Sequence, residues 1–315
     1  MKALIYKKFG SPDVLDWVNE WPDPELTEES VLAKTVAGSI NPKDVLLRKG
    51  KFSKTLARNP LPRASGLDVA GHVVSVGSKV TGFSVGDPVY GMTNHFAGGV
   101  HVELSKFHFS EIQHAPTNIS LVAASCVPLA AQTALQAIRD CCGLVSGHRI
   151  LINGASGGVG HFAVQIGKAL GAEIHAVCGP TNIEFVKSLG ADMIYDYTKQ
   201  TATCIDDRFD SVFDVFGKYT RASFSRQLKR KGVYVSTVPK PVTFWGEMLA
   251  WVGISKTNRL VQVKSHSDDL MQLKQWIEAG KVSPHIDKSY MVQDAANAHR
   301  HVESKHTVGK VCITF

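Results

Sequence analysis

A run of glycines between an apolar segment and an amphipathic one is the strongest chemical signal in the chain. It reads Gly154-Ala-Ser-Gly157-Gly158-Val159-Gly160 and follows the apolar residues 149–153, a predicted buried strand. Apolar side chains then recur at helical spacing. Glycines between a strand and a helix let the backbone approach a pyrophosphate, and the helix N-terminus attracts phosphates. The segment predicts a dinucleotide site; a glycine turn used only for packing is the alternative. Because Ala155 occupies the first position of G-x-G-x-x-G, Gly157 and Gly160 carry the strict match.

The residues after the next predicted strand, 173–178, bear on which dinucleotide binds. NAD sites usually have Asp or Glu about 20 residues beyond the glycines, bonded to the ribose 2′-hydroxyl. Here the strand ends in Cys178-Gly179-Pro180-Thr181-Asn182, which contains neither a carboxylate nor an arginine. Because the missing acid removes repulsion against a 2′-phosphate, we expect NADPH as the cofactor, with Asn182, Lys187 and Tyr197 near the phosphate.

The 13 histidines and six cysteines prompt a search for metal ligands. No C-x-x-C occurs, and no cysteine lies at ligand spacing from a histidine pair. Cys141 and Cys142 are adjacent, which is poor geometry for two ligands of one ion. His299 and His301 cannot share one helical face and are expected on a solvated helix surface. We therefore predict no metal site.

Composition limits the class of protein. The 315 residues are 44% hydrophobic and carry a net charge of +7, which excludes a disordered tail, a collagen-like fibre and a polytopic membrane protein. The basic cluster at 226–231 precedes Gly232 and is interpreted as the end of a helix over 219–229 rather than as a nucleic-acid patch. The N-terminus lacks a signal peptide, so a cytoplasmic protein is expected; an organelle form that has lost its transit peptide is the alternative.

The order of elements predicts two domains. The first 120 residues are rich in Val, Thr, Ser and Gly, with frequent turn signals, which indicates a small β-barrel. Strands then alternate with helices at 149–153, 173–178, 193–195, 211–216 and 233–238, which indicates a parallel, doubly wound sheet. The tail returns to the first pattern and ends in a strand at 311–315. We expect a catalytic domain at 1–125 and 266–315 and an inserted dinucleotide-binding domain at 126–265.

Several motifs in this order resemble the medium-chain dehydrogenase/reductases, in their zinc-independent quinone oxidoreductase branch. They are Asn41-Pro-Lys-Asp44, Gly66-Leu-Asp-Val-Ala-Gly71, Phe83-Ser-Val-Gly-Asp87, Gly157-Gly-Val-Gly160 and Gly309-Lys310-Val311. The resemblance implies an α/β protein in which a GroES-like barrel is the catalytic domain and a Rossmann domain is inserted. Zinc-dependent relatives place Cys, His and Cys near Asn41, Leu67 and Leu129, so the resemblance implies no zinc.

The resemblance also implies roles for individual residues. Asn41 and Asp44 would lie beside the nicotinamide. Independently of the resemblance, hydride transfer builds negative charge on a carbonyl oxygen, and Asn41 and Lys43 are the donors that the sequence offers nearby. The residues implied to border the cofactor are Thr133, Gly157, Gly158, Val159, Gly160, Gly179, Asn182, Tyr197, Phe216, Val238, Gly309 and Lys310. Leu46 replaces an aromatic residue of some quinone reductases, which leaves the acceptor open. Structural roles are the alternatives for four of them: a turn at Asn41, a helix cap at Asp44, a backbone-bonded hydroxyl at Thr133 and packing at Tyr197.

These features predict an enzyme that transfers a hydride from NADPH to a quinone or an α,β-unsaturated carbonyl. One alternative is a cofactor-binding regulatory protein with little turnover. Another is a peripheral membrane protein that uses the apolar segment Val242 to Ile254, which is too short to span a bilayer. That segment could instead form a cleft wall or a dimer surface. The family implies a homodimer, and no nucleic-acid partner is expected.

Overall fold

The chain forms two compact units in the computed structural model, which describes residues 1–56, 60–255 and 257–315. The first unit comprises Met1–Leu129, Lys264–Glu278 and Pro284–Phe315. The second comprises Ala130–Val263 and Ala279–Ser283.

Sixteen strands are found in the described residues. In chain order they are β1 Ala3–Tyr6, β2 Leu15–Val18, β3 Ser30–Ile40, β4 Arg63–Ala64, β5 Asp68–Val76, β6 Pro88–Met92, β7 Leu104–His108, β8 Ile112–His114, β9 Arg149–Asn153, β10 Glu173–Cys178, β11 Met193–Asp196, β12 Phe209–Asp214, β13 Leu228–Ser236, β14 Asn258–Leu260, β15 Ile286–Met291 and β16 Lys310–Thr314.

Eight α-helices accompany these strands within the described ranges. They are α1 Pro42–Arg48, α2 Leu121–Ala124, α3 Pro128–Gln136, α4 Gly160–Ala169, α5 Ile183–Ser188, α6 Pro241–Trp251, α7 Ser267–Glu278 and α8 Ala295–Glu303. A π-helical turn, Ala137–Cys141, continues α3, and Cys141 and Cys142 lie at its end as predicted.

The first unit is built on two sheets. The larger has the order β15-β16-β3-β5-β6-β8, with β7 also paired to β3, and the smaller has the order β2-β1-β4. All pairs are antiparallel except β15 with β16. Valines that point inward from β3, β5 and β6 pack with Phe107 and Ile112, so alternation along the strands produces the barrel core.

The second unit is an entirely parallel sheet with the order β11-β10-β9-β12-β13-β14. Counted along the chain, this is the order 3-2-1-4-5-6 of dinucleotide-binding folds. The central strand β9 is buried from Ile150 to Asn153 because it is covered on both faces. Leu151, Phe209 and Tyr234 belong to one buried cluster in this unit. The parallel α/β architecture expected from the sequence is therefore present.

The predicted helix over 219–229 is wrong. Arg221–Phe224 is a short 3-10 turn that starts at Thr220, and the chain then enters β13 at Leu228. Lys229 donates from β13 to Asp210 at 2.8 Å. Exposed basic residues occur both at the start of a strand and on the surface of a helix, so the sequence pattern did not distinguish the two elements. Gly232 lies within the strand and caps no helix.

Among the described residues, no helix is long and apolar enough to cross a membrane. The apolar segment from Val242 forms α6 and the turn that follows it.

Candidate active site

The glycine turn after β9 has one position that must be glycine for packing and one where a side chain would make only an ordinary contact. A Cβ on Gly160 would lie 2.0 Å from the carbonyl oxygen of Gly154, so no side chain fits there. Gly154 has φ +93° and lies against the Phe216 ring. A Cβ on Gly157 would meet only the Gly154 oxygen, at 3.6 Å. The predicted Gly157, Gly158 and Val159 thus lead into α4. The N-terminus of a helix attracts an anion through its N–H groups and its dipole.

A hydrogen bond joins the carboxyl ends of β9 and β12. The Asn153 Nδ2 donates to Asp214 Oδ1 at 2.9 Å. The other Asp214 oxygen accepts from the Tyr219 N–H and from the Tyr234 hydroxyl, each at 2.9 Å. Strand order reverses between β9 and β12, and open parallel sheets bind ligands outside such points. The sequence prediction missed both residues, although a polar residue ending each of two apolar strands was the available signal.

The predicted 2′-phosphate residues lie on the β10 side of the turn. Asn182 Nδ2 donates to Ser156 Oγ of the glycine turn at 3.2 Å. Tyr197 is exposed and lies over Gly179, where a Cβ would be 3.2 Å from the phenol oxygen. Asp196, beside Tyr197 in sequence, is a carboxylate that the prediction did not consider. Thr198 donates to it from both its N–H and its hydroxyl, and these bonds lower the Asp196 pKa.

Three further predicted residues of the second unit differ in their solvent exposure. Phe216 and Val238 are exposed apolar side chains after β12 and β13. Gly217, with φ +61°, allows Val238 to pack closely, since a Cβ there would lie 2.4 Å from it. Thr133 is buried within α3.

In the first unit, Asn41 is the centre of a buried polar network. Its Nδ2 donates to Asp68 Oδ1 at 3.0 Å and to the Ser39 carbonyl oxygen at 3.3 Å. Its Oδ1 accepts from the Lys310 ammonium. All four side chains are buried. Both Nδ2 hydrogens are thus engaged inside this unit, which differs from the free donor envisaged from the sequence.

Asp44 is adjacent to this network, at the third position of α1, whose N-cap is Asn41. Its Oδ2 accepts from the Asn41 N–H at 2.8 Å and so completes a capping box, whereas the sequence had offered Asp44 itself as the cap of a helix starting at Val45. Its Oδ1 has no hydrogen-bond partner among the described residues. Burial, followed by the charge of Asp68, raises the Asp44 pKa to about 7. Burial also raises the Asp68 pKa. Asp68 and Ser39 were not among the predicted site residues.

Lys43 lies apart from the amide network. Its Nζ is 4.4 Å from the centroid of the Phe96 ring, and burial lowers its pKa. Leu46, on the same helix, is exposed. The structure therefore brings Asn41, Asp44 and Lys310 together but gives Lys43 an aromatic neighbour of its own.

No group of three or more His, Cys, Asp or Glu side chains in the described ranges is arranged to hold a metal ion. The polar groups around Asn41 are its own amide, the Asp68 carboxylate and the Lys310 ammonium, and the Leu129 N–H donates to Asp68 Oδ2 at 3.2 Å. The expectation of a solvated surface for His299 is wrong: it faces inward from α8 and is fully buried. The pattern of α8 is amphipathic, and His299 lies on its apolar stripe next to Ala295 and Ala298.

Both units match known protein families. Residues 27–109 match the model of the alcohol dehydrogenase GroES-like domain, and residues 189–313 match that of the zinc-binding dehydrogenase. With these matches and relatives above 30% identity along its whole length, the chain belongs to the medium-chain dehydrogenase/reductase family, in its quinone oxidoreductase branch. The family and fold class predicted from the sequence are confirmed.

Particular relatives are similar along nearly the whole chain. The chain is 33% identical to the chloroplastic NADPH-dependent alkenal/one oxidoreductase of Arabidopsis thaliana, covering 99% of this chain and 79% of that protein. It is 32% identical to the chloroplast envelope quinone oxidoreductase homolog of Arabidopsis thaliana, covering 99% and 98%. A solved quinone oxidoreductase from Coxiella burnetii superposes with a TM-score of 0.90 at 28% identity, covering 100% of this chain and 99% of that one.

Proposed function

We propose that this chain is an NADPH-dependent oxidoreductase that reduces quinones or α,β-unsaturated carbonyls without zinc. The observation that carries the proposal is the glycine turn at the end of β9, where Gly160 is required by packing and a Cβ on Gly157 would make no contact closer than 3.6 Å. The names of the two Arabidopsis relatives and of the Coxiella structure support the two acceptor classes, and one of them names NADPH.

The residues of the second unit fit a bound NADPH. Gly157, Gly158 and the N–H groups at the start of α4 would hold the pyrophosphate. Asn182 and Tyr197 would lie near the 2′-phosphate, and Phe216 and Val238 offer apolar surface beyond the strand ends. When bound, the nicotinamide supplies the hydride. The protein's part is to bind and orient the cofactor and to exclude water from it.

The first unit supplies charge for the acceptor. Reduction of a quinone or an enone leaves negative charge on a carbonyl oxygen, and a preorganised donor for such an oxygen is typically worth about 10²–10³ in rate. Lys43 offers an ammonium group, and its pKa is lowered because burial disfavours the charged form. Asp44, with a pKa of about 7, holds a proton on part of the molecules at neutral pH.

The zinc-free part of the proposal rests on the donor set. A zinc ion needs anionic or imidazole ligands. Around Asn41 it would instead meet the Asn41 amide and the Lys310 ammonium, which donates directly to Asn41. The family model matched by residues 189–313 is nevertheless described as zinc-binding, so this point needs its own experiment.

The test is NADPH consumption by purified protein with a benzoquinone and a short enone, together with zinc analysis of the same sample. We expect turnover with less than stoichiometric zinc and no loss after dialysis against a strong chelator. Activity that disappears on chelation and returns with added zinc would contradict the zinc-free mechanism. Tight NADPH binding without turnover would favour the regulatory alternative.

We further propose that the protein is a homodimer joined through α6 and β14. The outward side of α6 is entirely apolar: Val242, Phe244, Trp245, Met248, Leu249, Trp251 and Val252 are exposed, with Trp251 86% exposed. Its inward side is small, with Thr243, Gly246 and Ala250 buried. A face of this kind is typical of an interaction surface.

The adjoining strand edge favours a second copy of the chain over a lipid surface. β14 lies at the end of the sheet and has no strand on its outer side within the described part of the chain. Asn258 Nδ2 donates to the Val242 carbonyl at 2.8 Å, and Arg259 pairs with Glu247 at 2.8 Å, so helix and strand form one surface. Open backbone groups can pair with a second β14 but are costly in lipid.

The dimer is tested by light scattering after size exclusion. Trp251→Glu is expected to give monomers at concentrations where the wild type is dimeric, whereas Val145→Glu, an exposed site of equal charge change, has no effect. A wild type that is monomeric would contradict the proposal. It would also be contradicted if Trp251→Glu kept the molecular mass of the wild type but no longer co-sedimented with lipid vesicles.

A cytoplasmic location is proposed as well. Its support is that all six cysteines are free thiols, as is usual in a reducing compartment. Fractionation of the source cells tests it, and recovery of the protein in a sealed organelle would contradict it.

A further inference from the structure

We propose that Lys310 is a positioning residue of the active site, because its ammonium fixes the orientation of the Asn41 side-chain amide. This inference rests on the proposed function, since it concerns the residue expected to lie beside the reacting groups. It gives Lys310 a different task from the cofactor contact that the family resemblance implies.

The surroundings of the Asn41 side-chain amide are electrostatically asymmetric. Its Oδ1 faces the Lys310 ammonium, and its Nδ2 faces the Asp68 carboxylate at 3.0 Å and the Ser39 carbonyl at 3.3 Å. A flipped amide would place its NH2 against the cation and its oxygen against the carboxylate. Both contacts would then be repulsive in a buried site, where charges are poorly screened.

Lys310 makes few polar contacts for a buried cation. Its side chain is buried, yet in the described residues its ammonium has no hydrogen bond or ion pair besides the bond to Asn41. Burying a cation costs free energy unless close groups compensate. The charges that do so here are Asp68 and Asp44, both buried, and Lys310 acts on each to stabilise the carboxylate. Among the described residues, the Lys310 ammonium therefore interacts with Asn41 and the carboxylates near it and bonds to no other group.

The backbone before and along β16 places Lys310 beside Asn41. Gly309 has φ +69°, and a Cβ on it would lie 2.4 Å from the His285 carbonyl oxygen. Strand β16 then pairs with β3, with Val311 opposite Ile40. Since Lys310 precedes Val311 and Asn41 follows Ile40, the antiparallel register sets the two side chains next to each other.

The experiment is a double-mutant cycle of Asn41→Ala and Lys310→Met, read in kcat, in KM for the acceptor and in the Kd for NADPH. Lys310→Met alone is expected to lower kcat by about ten- to a hundredfold, as misoriented groups do, and to change the NADPH Kd less than about threefold. In the Asn41→Ala background it should add less than about threefold, because the group it positions is gone. Lys310→Arg, which keeps the charged donor, should restore most of the lost kcat.

Controls separate positioning from folding. Lys288→Met makes the same change on the paired strand β15, at an exposed position, and should leave kcat and Kd unchanged. If Lys310→Met does not fold, Lys310→Gln replaces it: its amide keeps a polar group in the buried site but removes the positive charge that orients Asn41, so the same loss of kcat is expected. The unfolding free energy of each variant, measured in urea, shows that the kinetic comparison is made on folded protein.

The outcomes distinguish this inference from the proposed function. A higher NADPH Kd at unchanged kcat would overturn the positioning role and leave a cofactor contact. Effects of the two substitutions that multiply would also overturn it, since independent residues behave in that way. In both cases the wild type still turns over, so the proposed function stands. A wild type that reduces no quinone or enone overturns the proposed function itself.

Discussion

The ideal Cβ position of Gly160 lies 2.0 Å from the carbonyl oxygen of Gly154. The turn that joins β9 to α4 therefore closes only when residue 160 has no side chain. The same turn has space at Gly157, where a Cβ would meet nothing closer than 3.6 Å. Two glycines three residues apart thus serve different purposes, one for the fold and one for the proposed ligand.

This difference predicts opposite results for two alanine substitutions. Gly160→Ala forces the turn apart, and we expect it to lower the free energy of unfolding by about 1–3 kcal/mol, as overpacking does. Gly157→Ala should fold with wild-type stability but bind NADPH at least about tenfold more weakly, because its methyl group occupies the open side of the turn. Urea unfolding and NADPH titration check both. Equal stability of the two variants would contradict the packing argument.

Asn182 predicts the coenzyme preference. Its amide donates to Ser156 of the glycine turn. Asn182 ends the short turn that follows β10, beyond the strand end where NAD enzymes carry an acid. Asn182→Asp adds a charge that repels a 2′-phosphate and can accept from a 2′-hydroxyl. We expect the ratio of kcat/KM for NADPH over NADH to fall by about tenfold or more, a charge effect of about 1.4 kcal/mol.

Glu184→Gln, on the following helix, is the control for a change of charge near this strand end. An unchanged coenzyme ratio in Asn182→Asp would place the 2′-phosphate elsewhere, with Tyr197 as the next residue to test.

Asp44 predicts a pH dependence of stability. Its pKa is raised from 3.8 to about 7 in the folded protein by burial and by the charge of Asp68. The folded state therefore binds this proton more tightly than the unfolded chain does. The resulting stabilisation is complete below about pH 4 and is lost as the pH rises through about 7.

Asp44→Asn removes this contribution while keeping an oxygen for the Asn41 N–H. We expect the difference in unfolding free energy between variant and wild type to shift in favour of the variant from pH 4 to pH 8. Urea unfolding at each pH measures it, with the exposed Asp16→Asn as the control. A difference that is constant over this range would show that Asp44 is ionised throughout.

Substitution of Asn41 is expected to lower both the stability of the protein and its reaction rate. Asn41→Ala leaves Lys310 and Asp68 without their common partner, so we expect unfolding to become easier by about 1–3 kcal/mol. The protein should still fold, and kcat/KM should fall at least about tenfold. Asn297→Ala, at an exposed position of α8, is the matched control. Unchanged kcat/KM would remove Asn41 from the catalytic machinery.

The sequence predicted well where local pattern and tertiary structure agree. Apolar runs such as Arg149–Asn153 and Glu173–Cys178 became strands with the predicted bounds, because buried parallel strands have a pattern that few other elements share. The prediction failed at 219–229, where basic residues on the exposed start of β13 resembled a helix surface.

Site residues were harder to predict because their roles depend on pairing between distant segments. Lys310 meets Asn41 across 269 positions of the chain, through the register of β16 with β3. Asp214 and Asn153 meet through the order of strands in the sheet. No spacing in the sequence encodes these contacts, so motifs identified Asn41 and Lys310 individually without showing that one holds the other.

Initial rates of NADPH oxidation with a panel of acceptors test the proposed hydride transfer directly. The panel contains a benzoquinone, a naphthoquinone, a short enone, a long-chain enone and a simple ketone, each repeated with NADH. We expect turnover with at least one quinone or enone, none with the ketone, and a preference for NADPH. Turnover of the ketone at a comparable rate, or no turnover with any quinone or enone, would contradict it.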